Sequence, residues 1–240
     1  MTQLRNLLER IDQGGAPSLG FGAAQSNRLP AMALIARCSG DLDAALAAAA
    51  GSADAVVIAS PGITPDELPE LGGLLWGAGG VPLAPDNVAL WQDAGADFMV
   101  SPLAGAIVDA ISVANPVMTH GVRIPDDVDD PTWPILSAAP LDFLVLDKSA
   151  MTGPWTFAEL GQASDAAVRT DKYLVVRIGL RPSVNELVAL HQSGAVAIVA
   201  EANQLGADGL AGLKADLMAL PRVQPAGRRR VRPTLESQTT

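Results

Sequence analysis

The sequence predicts a (β/α)8 barrel, an α/β fold in which eight parallel strands alternate with helices. Three observations predict it: eight short, near-continuously apolar runs, marked helix starts between them, and a motif that recurs at every second run. Parallel strands are covered on both faces, so they read as continuous apolar runs. The eight runs are Met32–Arg37, Ala55–Ala59, Val81–Ala84, Phe98–Ser101, Val117–His120, Phe143–Leu146, Leu174–Ile178 and Ala197–Ala200.

The segment before these runs, residues 1–31, predicts a capping element. Thr2–Ile11 mixes leucines with Arg5 and Glu9, which is typical of an amphipathic helix and not of a signal peptide. Ser18–Gly22 adds either a cap or an extra strand. If Leu19–Phe21 is a strand, then Val117–His120 is the weakest of nine candidates, and an open doubly wound sheet becomes the alternative fold.

Three Thr/Ser-x-x-Glu boxes mark helix starts between predicted strands. They are Thr64–Glu67, Thr156–Glu159 and Ser183–Glu186. At this spacing each side chain can satisfy the other residue's free backbone N–H. The boxes therefore support an alternation of strands and helices over residues 32–221, the predicted barrel domain.

A short motif recurs at every second predicted strand. Asp54, Asp97 and Asp142 each stand directly before or within an apolar run, and residues 194–199 form a fourth copy without the aspartate. Alternate strands of a barrel contribute to alternate core layers, so this period favours a barrel.

Composition excludes several classes of protein. Apolar residues make up 49% of the 240 residues, which is enough for a large core, and no apolar stretch near the start approaches the roughly 20 residues of a membrane span. These features predict a cytoplasmic protein. The single cysteine, Cys38, allows no disulfide within the chain and is expected to be a small buried thiol.

Charge is distributed unevenly. Residues 222–240 hold five arginines and one glutamate, so they carry +4, whereas residues 1–221 carry −14, which gives the total of −10. The acidic body argues against specific nucleic acid binding. The basic segment predicts a disordered tail, or an arm across a neighbouring subunit in a homo-oligomer.

Charged residues follow the predicted strands, at the end where barrel proteins place their functional groups. The candidate substrate-binding residues are Arg37, Arg177, Arg181 and Ser183, with Arg123 and Lys148 adding further positive charge. Guanidinium groups at one mouth favour a small anionic ligand, a carboxylate or a phosphate. The alternative is that these cations pair with Asp86, Asp147, Glu201 and the acidic run 126–130.

The run Phe143–Leu146, followed by Asp147 and Lys148, resembles the sixth strand of class I aldolase barrels at the position of their lysine. The resemblance implies a lyase in which Lys148 forms a Schiff base and Asp147 or Glu201 moves protons. The usual sequence around that lysine is absent here, and a neighbouring aspartate favours the charged ammonium. His120 is a further candidate acid or base.

Cofactor signals are few. Asp147, Glu201 and Asp86 are hard oxygen donors that could hold Mg²⁺. Zinc is disfavoured, because there are two histidines and one cysteine, and His191 falls within a predicted helix. The expectation is a protein without a cofactor.

Two functions are compatible with this sequence. The first is an enzyme acting on a small anionic metabolite at the barrel mouth, with an aldolase-like lyase as the expected reaction class. The second is a non-catalytic binding or assembly protein with a degenerate site. An open pocket shared by Arg37, Arg177 and Lys148 would favour the enzyme. A mouth plugged by side chains or by residues 123–134 would favour the binding protein.

Overall fold

Eight parallel strands form a closed barrel in which each strand pairs with the next and β8 pairs with β1. The computed structural model describes residues 2–14, 29–60, 62–71, 73–111 and 118–221. This closure confirms the predicted (β/α)8 barrel and leaves no place for the open sheet. The strands are β1 Ala33–Cys38, β2 Ala55–Ile58, β3 Trp76–Gly79, β4 Phe98–Pro102, β5 Thr119–Ile124, β6 Phe143–Lys148, β7 Tyr173–Ile178 and β8 Ala195–Glu201.

Among the described residues, one helix precedes β1, five lie between successive strands and one follows β8. They are α1 Gln3–Asp12, α2 Leu42–Ala49, α3 Pro85–Asp93, α4 Thr132–Ala138, α5 Phe157–Arg169, α6 Val184–Gln192 and α7 Ala202–Ala219, with 3₁₀ helices at Pro65–Glu67 and Val108–Ala110. Among the described residues, none of these helices combines the length and apolar character that crossing a membrane requires.

The three predicted helix starts all form capping boxes, but the boxes open elements of different length. Those at Thr156 and Ser183 open the helices α5 and α6. The box at Thr64 opens only a single 3₁₀ turn, Pro65–Glu67. Pro69 comes two residues after this turn, and a proline cannot donate the N–H that a continuing helix needs.

Two strand predictions need correction. The third strand is Trp76–Gly79 and not Val81–Ala84, which contains Pro82 and leads into α3. The fifth strand runs Thr119–Ile124, so His120 lies near its beginning and not at its end. Val117, Ser18–Gly22 and the basic segment 222–240 lie outside the described residues, so the predictions made for them stay predictions.

Glycines of β3 and β5 make room for two phenylalanines inside the barrel. A Cβ on Gly77 would lie 2.3 Å from the carbonyl oxygen of Phe98, and a Cβ on Gly121 would lie 2.2 Å from the Phe143 ring. The two rings meet edge to face with centroids 6.5 Å apart. Because the rings occupy the space of missing side chains, β3 carries a glycine-rich sequence that does not read as a strand.

Helix α1 closes the end of the barrel where the strands begin. Leu4, Leu8 and Ile11 are buried and join the apolar cluster of the barrel interior. The Asp97 carboxylate, just before β4, accepts the backbone N–H groups of Gln3 and Leu4, both at 2.8 Å. The predicted N-terminal capping helix is therefore present, and a carboxylate at its first turn suits the helix dipole.

Two of the three recurring aspartates, Asp54 and Asp142, share one role at this end of the barrel. Asp54 accepts the backbone N–H of Leu34 at 2.8 Å, and Asp142 accepts that of His120 at 3.0 Å. Both carboxylates thus tie the start of a strand to the strand before it. All three aspartates of the repeat thus accept backbone N–H groups at this end, two from a strand and Asp97 from α1. An unpaired buried N–H is costly, which accounts for a carboxylate at these positions.

Replacing the interior glycine tests this packing. We expect Gly121→Ala to lower the free energy of unfolding by about 1–3 kcal/mol, because its methyl group would overlap the Phe143 ring. Urea unfolding measures the change. The matched control is Gly161→Ala in α5, where no atom beyond its chain neighbours and the local helix backbone lies within 4 Å of the added carbon. This control should stabilise the protein by about 0.5–1 kcal/mol through helix propensity. Equal stability of wild type and Gly121→Ala would contradict the packing.

Candidate functional site at the barrel mouth

Side chains of alternate residues along each strand point into the barrel, and the last inward position of several strands is charged. Arg37 follows Ile35 on β1, and Arg177 follows Val175 on β7, both with the two-residue period of a strand. By the same alternation Asp147 follows Val145 on β6. Five charged residues thus meet at the mouth, from five consecutive strands: Arg123, Asp147, Arg177, Glu201 and Arg37.

These five residues, here called the mouth ladder, alternate in sign around the rim. Asp147 Oδ2 lies 3.4 Å from Arg123 Nη1 and 2.9 Å from Arg177 Nη1. Arg177 Nη2 donates to Glu201 Oε1 at 2.8 Å. Arg37 Nη1 lies 3.0 Å from both oxygens of Glu201, directly across the β1–β8 pair. Arg177 therefore sits at the centre and bridges both carboxylates.

The mouth ladder keeps a surplus of positive charge and a spare donor. Three arginines face two carboxylates, which leaves a formal charge of +1. Arg177 Nε is buried and has no hydrogen-bond partner within the described part of the chain. Below the ladder the barrel leaves a space of about 50 Å³. That is room for a few water molecules or one carboxylate-sized group, and not for a whole metabolite.

Asp147 is held in its ionised form. Burial raises the pKa of this carboxyl, but hydrogen bonds from Ser149 and the charges of Arg177 and Arg123 outweigh burial, so the pKa lies below its ordinary value. The Ser149 hydroxyl donates at 2.6 Å and the Ser149 N–H at 3.0 Å. An aspartate ionised at neutral pH can accept a proton or bind a cation, but it cannot act as a general acid.

Lys148 lies on the other side of the strand. It follows the inward Asp147 and points outward, where it is only 3% exposed. Its ammonium group forms an ion pair with Asp126 at 2.7 Å and donates to Gln162 of α5. Lys148 therefore does not share the mouth with Arg37 and Arg177.

His120 also lies outside the mouth. It is buried near the start of β5, and burial lowers the pKa of its imidazole, so the neutral form prevails at pH 7. Its Nε2 has no hydrogen-bond partner among the described residues. The structure thus does not bring His120 together with the carboxylates of the mouth ladder.

Arg181 and Ser183 lie beyond β7, beside a second and larger cavity. Arg181 binds Asp216 of α7 at 2.6 Å, and Ser183 caps α6. Together with Lys148 they line a space of about 460 Å³ outside the barrel wall, here called the lateral cavity. Sequence reasoning placed all strand-end residues on one rim. The inside–outside alternation of Asp147 and Lys148 was the signal that could have separated the two sites.

Residues 123–134 are tied to the outer layer of the barrel. Asp130 binds Arg169 of α5 at 2.8 Å, and the Arg169 guanidinium lies 5.8 Å from the centre of the buried Trp133 ring. With the Asp126–Lys148 ion pair, these contacts hold the segment against α5. Of these residues, Arg123 is the one that joins the mouth ladder.

The described residues hold no group of three His, Cys, Asp or Glu side chains close enough for a metal ion. Asp86, expected as a possible Mg²⁺ ligand, is an exposed residue in the first turn of α3. Cys38 is buried on the outer face of β1, and burial together with the charge of Glu201 raises the pKa of its thiol to about 11. A thiol with this pKa is a poor nucleophile at neutral pH.

Solved structures with the same fold were found, whereas no family model and no curated protein matches the chain. Two of them are mutant tryptophan synthase α-subunits from the hyperthermophile Pyrococcus furiosus. One has a TM-score of 0.60 at 11% identity, covering 77% of this chain and 96% of the other. The second has a TM-score of 0.59 at 13% identity, covering 78% of this chain and 97% of the other.

A third similar structure is a cube-shaped, highly porous protein cage designed by fusing symmetric oligomeric domains. Its TM-score is 0.53 at 20% identity, with 78% of this chain and 70% of that chain covered. At these identities the similarity shows the barrel fold alone.

The pKa of Asp147 predicts how stability depends on pH. A carboxyl whose folded pKa lies below its ordinary 3.8 adds stability above pH 4, and that contribution is lost as the pH falls through the folded pKa. We expect Asp147→Asn to cost about 2 kcal/mol at pH 7, since charged hydrogen bonds are lost, and less at pH 3. Urea unfolding across this range measures both. The exposed Asp208→Asn should change little, and a cost for Asp147→Asn that is independent of pH would contradict the assignment.

Proposed function

We propose that the protein binds a small anion, a carboxylate or phosphate group, at the mouth ladder. The observation that carries this proposal is the buried Nε of Arg177, a charged donor without a partner in the described residues. A buried donor left unpaired costs about 1–3 kcal/mol, so a bound acceptor would stabilise the site. An oxyanion is the acceptor that a guanidinium group binds best.

The charge and the solvent exposure of the mouth ladder also support an anionic ligand. The mouth ladder carries +1 within a chain of net charge −10, so the mouth is a local positive site on an acidic protein. Its end members are reachable, since the side chains of Arg37 and Arg123 are 23% and 47% exposed. An anion resting there would contact guanidinium groups from opposite ends of the ladder.

Binding without catalysis is supported better than an aldolase-type reaction. A Schiff base needs a neutral amine that reaches the substrate, and Lys148 is engaged by Asp126 and Gln162 on the outer face of β6. The narrow space at the mouth and the pairing of its arginines also favour a non-catalytic binding protein, the second function that the sequence predicts. Self-association and cytoplasmic location stay predictions.

A lyase is the second candidate, because one observation favours it. Lys148 is nearly buried yet lines the lateral cavity, where a carbonyl compound could approach its ammonium group.

Anion binding can be measured by thermal unfolding with inorganic phosphate. We expect about 10 mM phosphate to raise the melting temperature of the wild type above that in sodium chloride of equal ionic strength, because phosphate binds only the folded protein. Arg123→Gln, at the exposed end of the ladder, should reduce the rise, and Arg177→Lys should abolish it. The matched control is Arg169→Gln on the outer surface. An equal rise in all four proteins, or none in the wild type, would refute the proposal.

Borohydride trapping distinguishes the two candidate functions. With pyruvate and other small carbonyl acids, we expect mass spectrometry to find no reduced adduct on Lys148, because its ammonium group is held by two acceptors. Lys172 provides an internal comparison of background modification. A stoichiometric adduct confined to Lys148 would favour the lyase instead.

A further inference from the structure

We propose that the lateral cavity is a second binding site, for a small molecule with an apolar ring and one anionic group. The site is separate from the mouth ladder, because it lies on the outer face of β6 and β7 and not inside the barrel. Its volume of about 460 Å³ falls within the range of ligand pockets in proteins. Residues of opposite character line it: Met151, Trp155, Leu180, Lys148, Arg181 and Ser183.

Two strand–helix loops frame the cavity and hold each other in place. Residues 149–156 follow β6, and residues 179–183 follow β7. The Trp155 N–H of the first loop donates to Glu186 Oε1 at 2.7 Å, while Ser183 N–H of the second donates to Glu186 Oε2 at 2.7 Å. One carboxylate therefore joins both loops, and backbone hydrogen bonds from Ser183 and Trp155 lower its pKa.

Close backbone contact fixes the floor between the loops. A Cβ on Gly179 would lie 2.2 Å from the carbonyl oxygen of Ser149 and 3.3 Å from that of Met151, so the loops touch only because this residue has no side chain. Capping boxes at Thr156 and Ser183 then set where α5 and α6 begin. A cavity framed this way is formed before any ligand arrives, which reduces the entropic cost of binding.

The two cationic side chains of the cavity, Lys148 and Arg181, keep unused hydrogen-bond donors. Both oxygens of Glu186 already accept backbone N–H groups. The Lys148 ammonium has three donors, of which Asp126 and Gln162 take two in the described structure. Arg181 gives Asp216 one of its five N–H groups. An anionic group can accept hydrogen bonds from these remaining donors.

The apolar side chains that line the lateral cavity favour a ligand with an apolar ring. The half-buried Trp155 offers an aromatic face, and Met151 is a side chain that adapts to irregular shapes. Leu180 lines the cavity and is 55% exposed, so it adds apolar surface at the opening. A planar ring would cover this surface and contact Trp155.

The experiment compares 1-naphthoate with its uncharged amide, 1-naphthamide, on the full chain by calorimetry and tryptophan fluorescence. We expect naphthoate to bind with a dissociation constant below about 1 mM and at least tenfold more tightly than naphthamide. Lys148→Met should remove that preference and leave naphthamide binding unchanged. Gly153→Trp should weaken both ligands at least tenfold, because Gly153 lines the cavity and has open space where the indole would fill it.

Variants of the mouth ladder distinguish naphthoate binding at the lateral cavity from anion binding at the mouth. Arg123→Gln should leave naphthoate binding unchanged, while Lys148→Met and Gly153→Trp should retain the thermal response to phosphate. If Lys148→Met fails to fold, Arg181→Gln carries the charge test. Absence of naphthoate binding up to about 5 mM would overturn the inference, as would equal affinity for naphthoate and naphthamide, or binding that survives Gly153→Trp.

Discussion

Closure of the barrel is the constraint on which the rest of this structure depends. Because β8 pairs with β1, every strand has an inner and an outer face, and neighbouring residues must lie on opposite sides of the wall. Asp147 therefore joins the interior mouth, while Lys148 joins the layer between strands and helices. A single step along the chain separates two different environments, and the two candidate sites of the protein result from that division.

Inside the mouth, electrostatics is nearly balanced. Arg177 bridges two carboxylates, so each charge taken from water has an opposite charge within hydrogen-bond distance. The attraction within a buried ion pair offsets the free energy of desolvation only when the hydrogen-bond geometry is this close. The Nε of Arg177 is the donor of the mouth ladder that has no such partner among the described residues. The mouth ladder thus links five strands, and the Nε of Arg177 is the donor on which the proposed anion site depends.

Much of this fold was predictable from local patterns, since continuous apolar runs and capping boxes depend on neighbours in sequence. The β3 strand was not predicted because Gly77 and Gly79 carry no apolar side chains. Glycine is needed there because Phe98 and Val57 on the adjacent strands occupy the space of a side chain. At the site, the sequence predicted Arg37 and Arg177 at one mouth and Asp147 and Glu201 as their possible partners. It did not separate Lys148 from the mouth, although the alternation of Asp147 and Lys148 along β6 carries that information. The place of Arg181 and Ser183 could not be predicted, because the cavity that they line depends on how two distant loops meet.

The lone cysteine has a consequence of its own. Cys38 ends β1 opposite Ile58 of β2, on the outer face of the barrel, where it is shielded from solvent and protonated. A thiol reagent can reach Cys38 only when the helices that cover the outer face of β1 move away from the barrel wall. The rate at which Cys38 is alkylated therefore reports how often this outer layer opens, without any label being introduced.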